Sequence, residues 1–321
     1  MAFLRELGDT GLTVSALGLG TVKIGRDQGV KYPTPFSIPD DDAVRDLLAR
    51  ARELGINLID TAPAYGRSEE RLGQLLRDRQ DWVIVSKVGE EFSDGDSHFD
   101  FSPAHTRASV ERSLRRLNTD YIDLYQYHFP DPLTPIDETL GALDDLVRSG
   151  KVRHIACSNL PGWQLVDAAW TARHHGYERF LSTQAEYSLL ARSAERELFP
   201  ALRASHMTLL PYFPLASGLL TGKYRKGGDV PADSRMAIGR FAQQMTEARI
   251  ERVEALIAFA AARGRSVLEL AMSWLAGQPI VSSIIAGATR PEQVRANVAA
   301  AGWTLSADDL AELDRLTLGG S

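Results

Sequence analysis

Four ionisable side chains of this sequence could together deliver a proton to a carbonyl oxygen. Three of them, Asp60, Lys87 and His128, each follow a short apolar run, with Ser86 between the run and Lys87. The fourth, Tyr65, follows Asp60 within the loop TAPAYG. A phenol is too weak an acid to protonate an alkoxide quickly at neutral pH, so a catalytic tyrosine needs a cation beside it.

The four residue types have compatible roles in such a site. Lys87 would be the cation that acidifies the Tyr65 hydroxyl, and Asp60 would compensate its buried charge. A neutral His128 would donate a hydrogen bond to the substrate oxygen. Singly, each also has an ordinary structural interpretation: a helix cap, a surface charge, packing or a satisfied polar group. Four compatible roles at one edge favour the catalytic interpretation, which places the four as catalytic residues.

Short apolar runs alternate with amphipathic stretches along the chain, and this order predicts what positions the four residues. Near-continuous apolar character over a few residues is typical of parallel strands that are buried on both faces. The apolar runs that predict strands are 16–19, 57–59, 82–85, 122–127, 152–156, 180–183, 207–210 and 280–286. Among the stretches long enough for helices are 41–54, 103–117, 136–148, 163–174 and 192–203.

Eight such units predict a closed α/β barrel of the (β/α)8 TIM type, because an open doubly wound sheet commonly has fewer strands. A β-hairpin is expected before the first barrel strand, around Gly11. Extra elements are expected as a polar loop at 218–239 and a terminal helix at 306–316. No shift in composition marks a linker, so one domain over residues 1–321 is expected.

Composition excludes several classes of protein. The net charge of −6 and the scattered Lys and Arg residues argue against a nucleic-acid partner. No apolar run is long enough to span a membrane and the start is too polar for a secretory signal, so a cytoplasmic protein is expected. The single cysteine, Cys157, excludes an intramolecular disulfide and a cysteine metal cluster, and no metal site is predicted. A monomer is the default expectation.

Neutral polar residues follow the later strands. Ser158 and Asn159 follow the fifth and Gln184 the sixth, where they could hydrogen-bond a carboxamide-bearing ring, and Tyr212 could stack on it. The segments 217–219 and 287–290 could let backbone amides approach a pyrophosphate. No G-x-G-x-x-G pattern is present, so dinucleotide binding in the open-sheet manner is not predicted. These residue types are also ordinary in turns, and that interpretation stays open.

Several separated segments follow one known pattern, in order: LGDTGLTVSALGLGT, GINLIDTAPAYGRSEERLGQLL, VIVSKVG, LNTDYIDLYQYHFPDP, SGKVRHIACSN, PYFPLASGLLTGKY and IIAGATRPEQVRAN. Through them the chain resembles the aldo-keto reductase family over essentially its whole length. The resemblance implies hydride transfer between NAD(P)(H) and the carbonyl or alcohol carbon of a small aldehyde, ketone or sugar. It also implies that the family's catalytic tetrad falls on Asp60, Tyr65, Lys87 and His128.

The resemblance further implies where the cofactor is held. Amide contacts fall on Ser158, Asn159 and Gln184, and ring stacking falls on Tyr212. The remaining implied contacts are Phe213, Pro214, Leu215, Ser217, Gly218, Leu219, Lys223, Gly287, Thr289, Arg290, Gln293 and Asn297.

Two departures from the family pattern affect specificity. Many members bind the 2′-phosphate of NADP with basic residues at the positions of Gly287 and Gln293, so Arg290 is the substitute expected here. NADP is therefore the preferred cofactor and NAD its rival. The tail after Asn297 is short, so substrate selection is expected to depend on residues 23–39 and 89–103. The latter loop suits a sugar-like ligand as well as an aromatic aldehyde.

Two other functions are alternatives. A nucleotide-sensing regulatory barrel with little turnover would resemble the potassium-channel β-subunits, which share the family pattern. A barrel lyase or isomerase would use Lys87 to form a Schiff base. The lyase ranks last, because ion pairing with Asp60 makes Lys87 a poor nucleophile.

Overall fold

The computed structural model describes residues 3–26, 37–93, 96–228, 243 and 245–318. Short strands alternate with helices through these residues, as the apolar pattern predicts. The strands are β1 (Leu4–Glu6), β2 (Thr13–Ser15), β3 (Leu17–Gly20), β4 (Leu58–Asp60), β5 (Val83–Val88), β6 (Glu90–Ser93), β7 (Asp96–Phe99), β8 (Ile122–Tyr127), β9 (Val152–Ser158), β10 (Ser182–Glu186), β11 (Thr208–Tyr212) and β12 (Ile284–Gly287).

Helices cover the outside of the strands. Their bounds are α1 (Val22–Gly25), α2 (Asp41–Glu53), α3 (Ser68–Leu75), α4 (Pro103–Leu117), α5 (Ile136–Arg148), α6 (Gly162–His175), α7 (Leu198–Ala204), α8 (Glu247–Ala261), α9 (Val267–Ala276), α10 (Pro291–Ala300) and α11 (Ala307–Leu318). Local sequence explains several ends. The Ser102 hydroxyl caps α4, whose first residue is Pro103, and Ser266 with Glu269 forms a capping box at α9.

Eight of the described strands form one parallel sheet, in the order β11-β10-β9-β8-β5-β4-β3-β12. The two ends of this sheet meet, because Leu209 of β11 pairs in parallel with Val281 just before β12. The amide of Leu209 donates to the carbonyl of Ile280 at 2.8 Å, and its carbonyl accepts from the amide of Ser282 at 3.0 Å. The predicted (β/α)8 barrel is confirmed.

The N-terminal hairpin of β1 and β2 is also confirmed, and it covers the end of the barrel where the strands begin. Leu7 and Val14 of this hairpin are fully buried among apolar side chains of the barrel interior, such as Leu58, Leu124 and Leu210. The hairpin thus belongs to the barrel core and lies opposite the end where the strands finish.

Some predicted bounds differ from the structure. The helix predicted over 192–203 is a 3-10 turn at Ser193–Glu195 followed by the short α7, and the strand predicted at 180–183 is Ser182–Glu186. The antiparallel pair β6–β7 was not predicted, because its sequence EEFSDGDSHF has more polar than apolar residues. Of the substrate-selecting segment 23–39, residues 27–36 lie outside the described residues, as do 229–239 of the predicted loop.

No helix within the described residues is both long enough and apolar enough to cross a membrane.

Candidate active site

The four predicted catalytic residues lie at the end of the barrel where the parallel strands finish. Asp60 ends β4, Lys87 is the last-but-one residue of β5, and His128 directly follows β8. Tyr65 ends a 3-10 turn, Pro63–Tyr65, that begins just after β4. Asp60, Lys87 and His128 are buried, whereas Tyr65 is partly exposed. The structure therefore brings the four side chains to one mouth, with the phenol nearest to solvent.

Lys87 and Asp60 form a buried ion pair. The lysine Nζ lies 2.5 Å from Asp60 Oδ1 and donates to the Thr61 carbonyl at 2.9 Å. Lys87 is 0% exposed, so burial lowers the pKa of its ammonium, while the Asp60 charge acts in the opposite direction. Gln184 reinforces the pair, because its side-chain amide donates to Asp60 Oδ1 at 2.8 Å. The Lys87 ammonium thus has two acceptors, the Asp60 carboxylate and the Thr61 carbonyl.

Tyr65 lies between this ion pair and His128. The Lys87 Nζ is 4.8 Å from the centroid of the Tyr65 ring. The Tyr65 and His128 rings meet edge to face, with centroids 6.4 Å apart. A cation so close to a phenol favours the phenolate and so makes the hydroxyl a better proton donor. An imidazole and a phenol at this spacing can both approach one substrate oxygen.

The loop that carries Tyr65 is held by close backbone packing. A Cβ on Gly25 would lie 2.4 Å from the Tyr65 carbonyl oxygen and 2.2 Å from the Ser68 amide nitrogen, so only glycine fits. The Gly25 carbonyl accepts a hydrogen bond from the Arg67 amide at 3.0 Å. Arg26 donates to the Ala64 carbonyl at 2.8 Å. The 3-10 turn is therefore held against α1, and this fixes the backbone position from which the Tyr65 side chain extends.

Residues that sequence reasoning missed surround His128. The Phe129 ring stacks on the imidazole with centroids 4.4 Å apart. Glu90, at the start of β6, places Oε2 3.4 Å from His128 Nδ1. Glu90 is the second residue after β5, following Gly89, and polar residues just after strands were the signal used for the other site residues. The adjacent Glu91 made this signal ambiguous, because the sequence does not specify which of the two glutamates points inward.

The predicted amide-bearing residues form one hydrogen-bonded cluster beside the tetrad. Asn159 donates from Nδ2 to the His128 carbonyl at 3.1 Å and to Ser158 Oγ at 3.0 Å. Ser158 donates to the Gln184 carbonyl at 2.9 Å, and Tyr212 donates to Asn159 Oδ1 at 2.8 Å. Burial raises the pKa of Tyr212 to about 12, so this phenol remains a donor. The cluster can present a fixed amide and hydroxyl to a carboxamide.

The remaining predicted cofactor residues lie on two segments. The first follows β11 and includes the 3-10 segment Ala216–Thr221. Phe213, just after β11, has a positive φ, as do Ser217 and Gly218 within the 3-10 segment. Its predicted members are Phe213, Pro214, Leu215, Ser217, Gly218, Leu219 and Lys223, of which Leu219 is fully buried and Lys223 is exposed. Leu219 therefore presents no surface to a ligand in this structure.

The second segment joins β12 to α10. Gly287 ends β12 beside Gly20 of β3, so this part of the mouth carries no side chains. Gln293 accepts hydrogen bonds from the amide and hydroxyl of Thr289, at 2.8 and 3.3 Å. Arg290 is exposed at the start of α10, and Asn297 lies further along the helix. Free helix amides and a guanidinium here suit a phosphate.

A nicotinamide dinucleotide fits this donor set. The amide cluster of Ser158 and Asn159 suits a carboxamide, and the side-chain-free mouth at Gly20 and Gly287 leaves room for a ligand backbone. Within the described residues, no group of three or more His, Cys, Asp or Glu side chains is arranged to hold a metal ion.

Comparison with known proteins identifies the family of the chain. A model of the aldo/keto reductase family matches residues 16–317. The aldo-keto reductase YhdN of Bacillus subtilis (strain 168) is 34% identical, over 97% of this chain and 92% of its own length. An NADH-specific methylglyoxal reductase of Escherichia coli (strain K12) is 36% identical over 94% of both chains. A probable voltage-gated potassium channel subunit beta of Oryza sativa subsp. japonica is 33% identical, over 92% of this chain and 90% of its own length. The chain belongs to the aldo/keto reductase family, whose members are oxidoreductases that use a nicotinamide cofactor on small carbonyl compounds.

Proposed function

We propose that this protein reduces the carbonyl group of small aldehydes or ketones with a nicotinamide dinucleotide, and oxidises the corresponding alcohols in reverse. The observation that carries the proposal is the Lys87 ammonium, held by Asp60 at 2.5 Å and lying 4.8 Å from the Tyr65 ring centroid. Lys87 thus lies beside a phenol that is partly exposed at the barrel mouth. Its effect there is to make that phenol more acidic.

The chain's own residues supply the proton and the orientation. The bound reduced dinucleotide supplies a hydride. The substrate oxygen lies between Tyr65 and His128, which both donate hydrogen bonds to it and so polarise the carbonyl. The Tyr65 hydroxyl then gives its proton to the oxygen, and Lys87 stabilises the tyrosinate that remains. Asp60 keeps the lysine charged, and Asn159 holds the backbone carbonyl of His128.

We propose NADPH as the preferred form of the cofactor. Arg290 supports this, because its exposed guanidinium begins α10 and makes no ion pair with a described carboxylate. NADH is the rival, since the Escherichia coli relative is named NADH-specific. If Arg290 contacts the 2′-phosphate, Arg290→Ala weakens NADPH binding about 10-fold or more and leaves NADH binding unchanged. Fluorescence titration with both nucleotides measures this.

Arg295→Ala is the matched control for that titration, because Arg295 is exposed on the same helix. It should leave both dissociation constants unchanged. Equal losses for NADPH and NADH in Arg290→Ala would contradict a contact with the 2′-phosphate.

We also propose that the substrate carries an uncharged apolar group. An open cavity of about 610 Å³ lies next to His128, between the loop after β8 and residues 99–101. Its lining is Phe99, Asp100, Phe101, Phe129, Pro130, Asp131, Pro132, Leu133 and Thr134. None of these lining residues is a cation. The Ser102 amide, hydrogen-bonded to Asp100, lowers the pKa of that carboxyl, so a negative charge lies beside the cavity and repels anionic substrates.

One screen tests these proposals together. Purified protein is assayed for NADPH and NADH oxidation with benzaldehyde, methylglyoxal, glyceraldehyde and glyceraldehyde 3-phosphate. We expect turnover with NADPH, highest kcat/KM for benzaldehyde and lowest for the phosphorylated compound. Nucleotide binding without turnover of any aldehyde or ketone would overturn the reductase and favour the sensing barrel. Borohydride trapping of a substrate on Lys87 would favour the Schiff-base lyase.

A further inference from the structure

A buried glutamate that the reaction above does not use lies behind the candidate catalytic histidine. Glu90 is 2% exposed, and its Oε2 lies 3.4 Å from Nδ1 of His128, which is itself 4% exposed. The glutamate begins β6, directly after the bend at Gly89. A carboxyl removed from water at this position acts on the imidazole much more strongly than a surface charge does.

The other oxygen of Glu90 accepts one hydrogen bond and lies near one guanidinium. Ser97 of β7 donates its hydroxyl to Oε1 at 2.9 Å. Arg26 Nη1 lies 3.9 Å from the same oxygen, and Arg26 is also 2% exposed. These contacts turn Oε1 toward the hairpin and the guanidinium. Oε2 is thereby left facing the imidazole.

Proton counting then restricts the state of the histidine. Two lone pairs 3.4 Å apart would repel each other, so a neutral His128 beside an ionised Glu90 is expected to carry its proton on Nδ1, although the two atoms do not have hydrogen-bond geometry here. In the neutral ring this proton makes Nε2 an acceptor. Nε2 can donate to a substrate oxygen only when the pair holds a second proton, either as an imidazolium beside a carboxylate or as a neutral ring beside a protonated Glu90.

We propose that Glu90 is a positioning residue that keeps the ring proton of His128 on Nδ1 when the Glu90–His128 pair holds one proton, so that reduction requires the pair to hold two protons. The consequence for the reaction rests on the proposed reductase function, whereas the state of the ring does not. As pH rises, the pair loses one proton, Nε2 changes from donor to acceptor, and reduction declines.

Other described residues contact the ring or the backbone of His128, or lie near Glu90. Tyr65 meets the ring from the 3-10 turn. Lys87, paired with Asp60, is close enough to Glu90 for the two charges to interact. Arg26 lies on the far side of Glu90. Phe129 stacks on the ring face and Asn159 contacts the backbone carbonyl, and both are neutral.

Glu90→Gln gives a directional test because its amide has a defined orientation. The Ser97 hydroxyl donates to this position and the positive Arg26 guanidinium lies near it, so both favour the amide oxygen at the position of Oε1. The amide NH2 then takes the place of Oε2 and donates to Nδ1. A neutral His128 would therefore carry its proton on Nε2, and one proton on the ring would be enough for reduction.

The experiment combines a spectroscopic and a kinetic measurement on the full chain. Heteronuclear NMR of the imidazole nitrogens reports the tautomer without any substrate, and His128→Asn identifies the relevant signals among the seven histidines. At high pH we expect His128 to be protonated on Nδ1 in the wild type and on Nε2 in Glu90→Gln. The alkaline limb of kcat/KM for aldehyde reduction should move upward by about one pH unit or more in Glu90→Gln.

Glu91→Gln is the matched control. Glu91 is the next residue of β6 and pairs instead with Arg112 and, at 3.7 Å, with His105. It should change neither the His128 tautomer nor the alkaline limb. An Nε2–H tautomer in the wild type, or equal tautomers in the wild type and Glu90→Gln, would overturn the proposal, whatever the catalytic rates. Absence of any turnover would instead overturn the proposed function.

Discussion

At the scale of single residues, the site depends on charges that are stable only in combination. Burial alone lowers the pKa of Lys87, and Asp60 opposes that effect. A lysine whose pKa is lowered loses its proton earlier as pH rises. In the proposed mechanism, the proton-donating role of Tyr65 therefore depends on a carboxylate that need not touch the substrate.

Replacing Asp60 tests this dependence. In Asp60→Asn, burial acts on Lys87 without a counter-charge, so the ammonium is neutralised at a lower pH. We expect kcat/KM at neutral pH to fall about 100-fold, and the alkaline limb to move to lower pH. Asp123→Asn is the control, because Asp123 is a buried carboxylate near the beginning of β8, where Arg79 donates to it at 2.7 Å. An alkaline limb unchanged in Asp60→Asn would contradict the role given to the ion pair.

Sequence reasoning reached the tetrad because Asp60, Lys87 and His128 follow apolar runs. It did not reach Glu90, since β6 and β7 are polar strands whose direction depends on the bend before them. Gln184 was expected to hold a carboxamide, yet its amide hydrogen-bonds to Asp60. Such side-chain partners depend on the curvature of the barrel, which the order of residues does not specify. The catalytic roles themselves stay predictions.

At the scale of elements, the bend between β5 and β6 decides which glutamate faces His128. Gly89 has φ +107, and a Cβ there would lie 1.8 Å from the Phe101 ring. Any side chain would therefore strain the backbone and displace the ring. Phe101 packs on Tyr127 of β8 with ring centroids 4.8 Å apart, so the disturbance reaches the strand before His128.

Gly89→Ala should therefore reduce both stability and activity. The positive φ alone costs about 1–3 kcal/mol, and the clash with Phe101 adds to it. Gly150→Ala is the control, because Gly150 has φ +75 and an added Cβ there would meet open space. Its free energy of unfolding should fall by only about 1–2 kcal/mol, and its activity should not change. Urea unfolding and kcat/KM check both variants. Equal losses of stability in the two would show that Phe101 does not confine Gly89.

The eight-fold alternation predicted the elements well, and α4 and α5 have the bounds expected from the sequence. The failure at 192–203 has a physical cause. Arg192 and Glu195 form an ion pair in a 3-10 turn, and Arg192 also contacts Asp314 of α11 at 2.7 Å. A contact over such a sequence distance overrides local helix preference.

In the whole molecule, the two ends of the barrel differ. One end contributes to stability, and the other carries the candidate catalytic residues. The hairpin covers the first with Leu7 and Val14, and the strand ends form the second. The packing of the hairpin therefore does not depend on the candidate catalytic residues at the other end. The expectation of a single domain remains a prediction.

Leu7→Ala should separate the two ends. Removing a fully buried leucine leaves a cavity in the barrel core and lowers the free energy of unfolding by about 2–5 kcal/mol. The kcat/KM of the folded enzyme should not change. Leu4→Ala is the control, because Leu4 is 53% exposed and its truncation should change stability by no more than about 0.5 kcal/mol. Unchanged urea unfolding of Leu7→Ala would contradict the packing described for the hairpin.

The most direct measurement is the turnover of Tyr65→Phe with NADPH and the best aldehyde from the screen. Removal of one oxygen atom should lower kcat by about 10³-fold or more, while the dissociation constant for NADPH stays unchanged. Tyr121→Phe, with its ring beneath Arg79 and Arg153, should retain wild-type kinetics. If Tyr65→Phe turned over at the wild-type rate, Tyr65 would not be the proton donor and the catalytic account would be wrong.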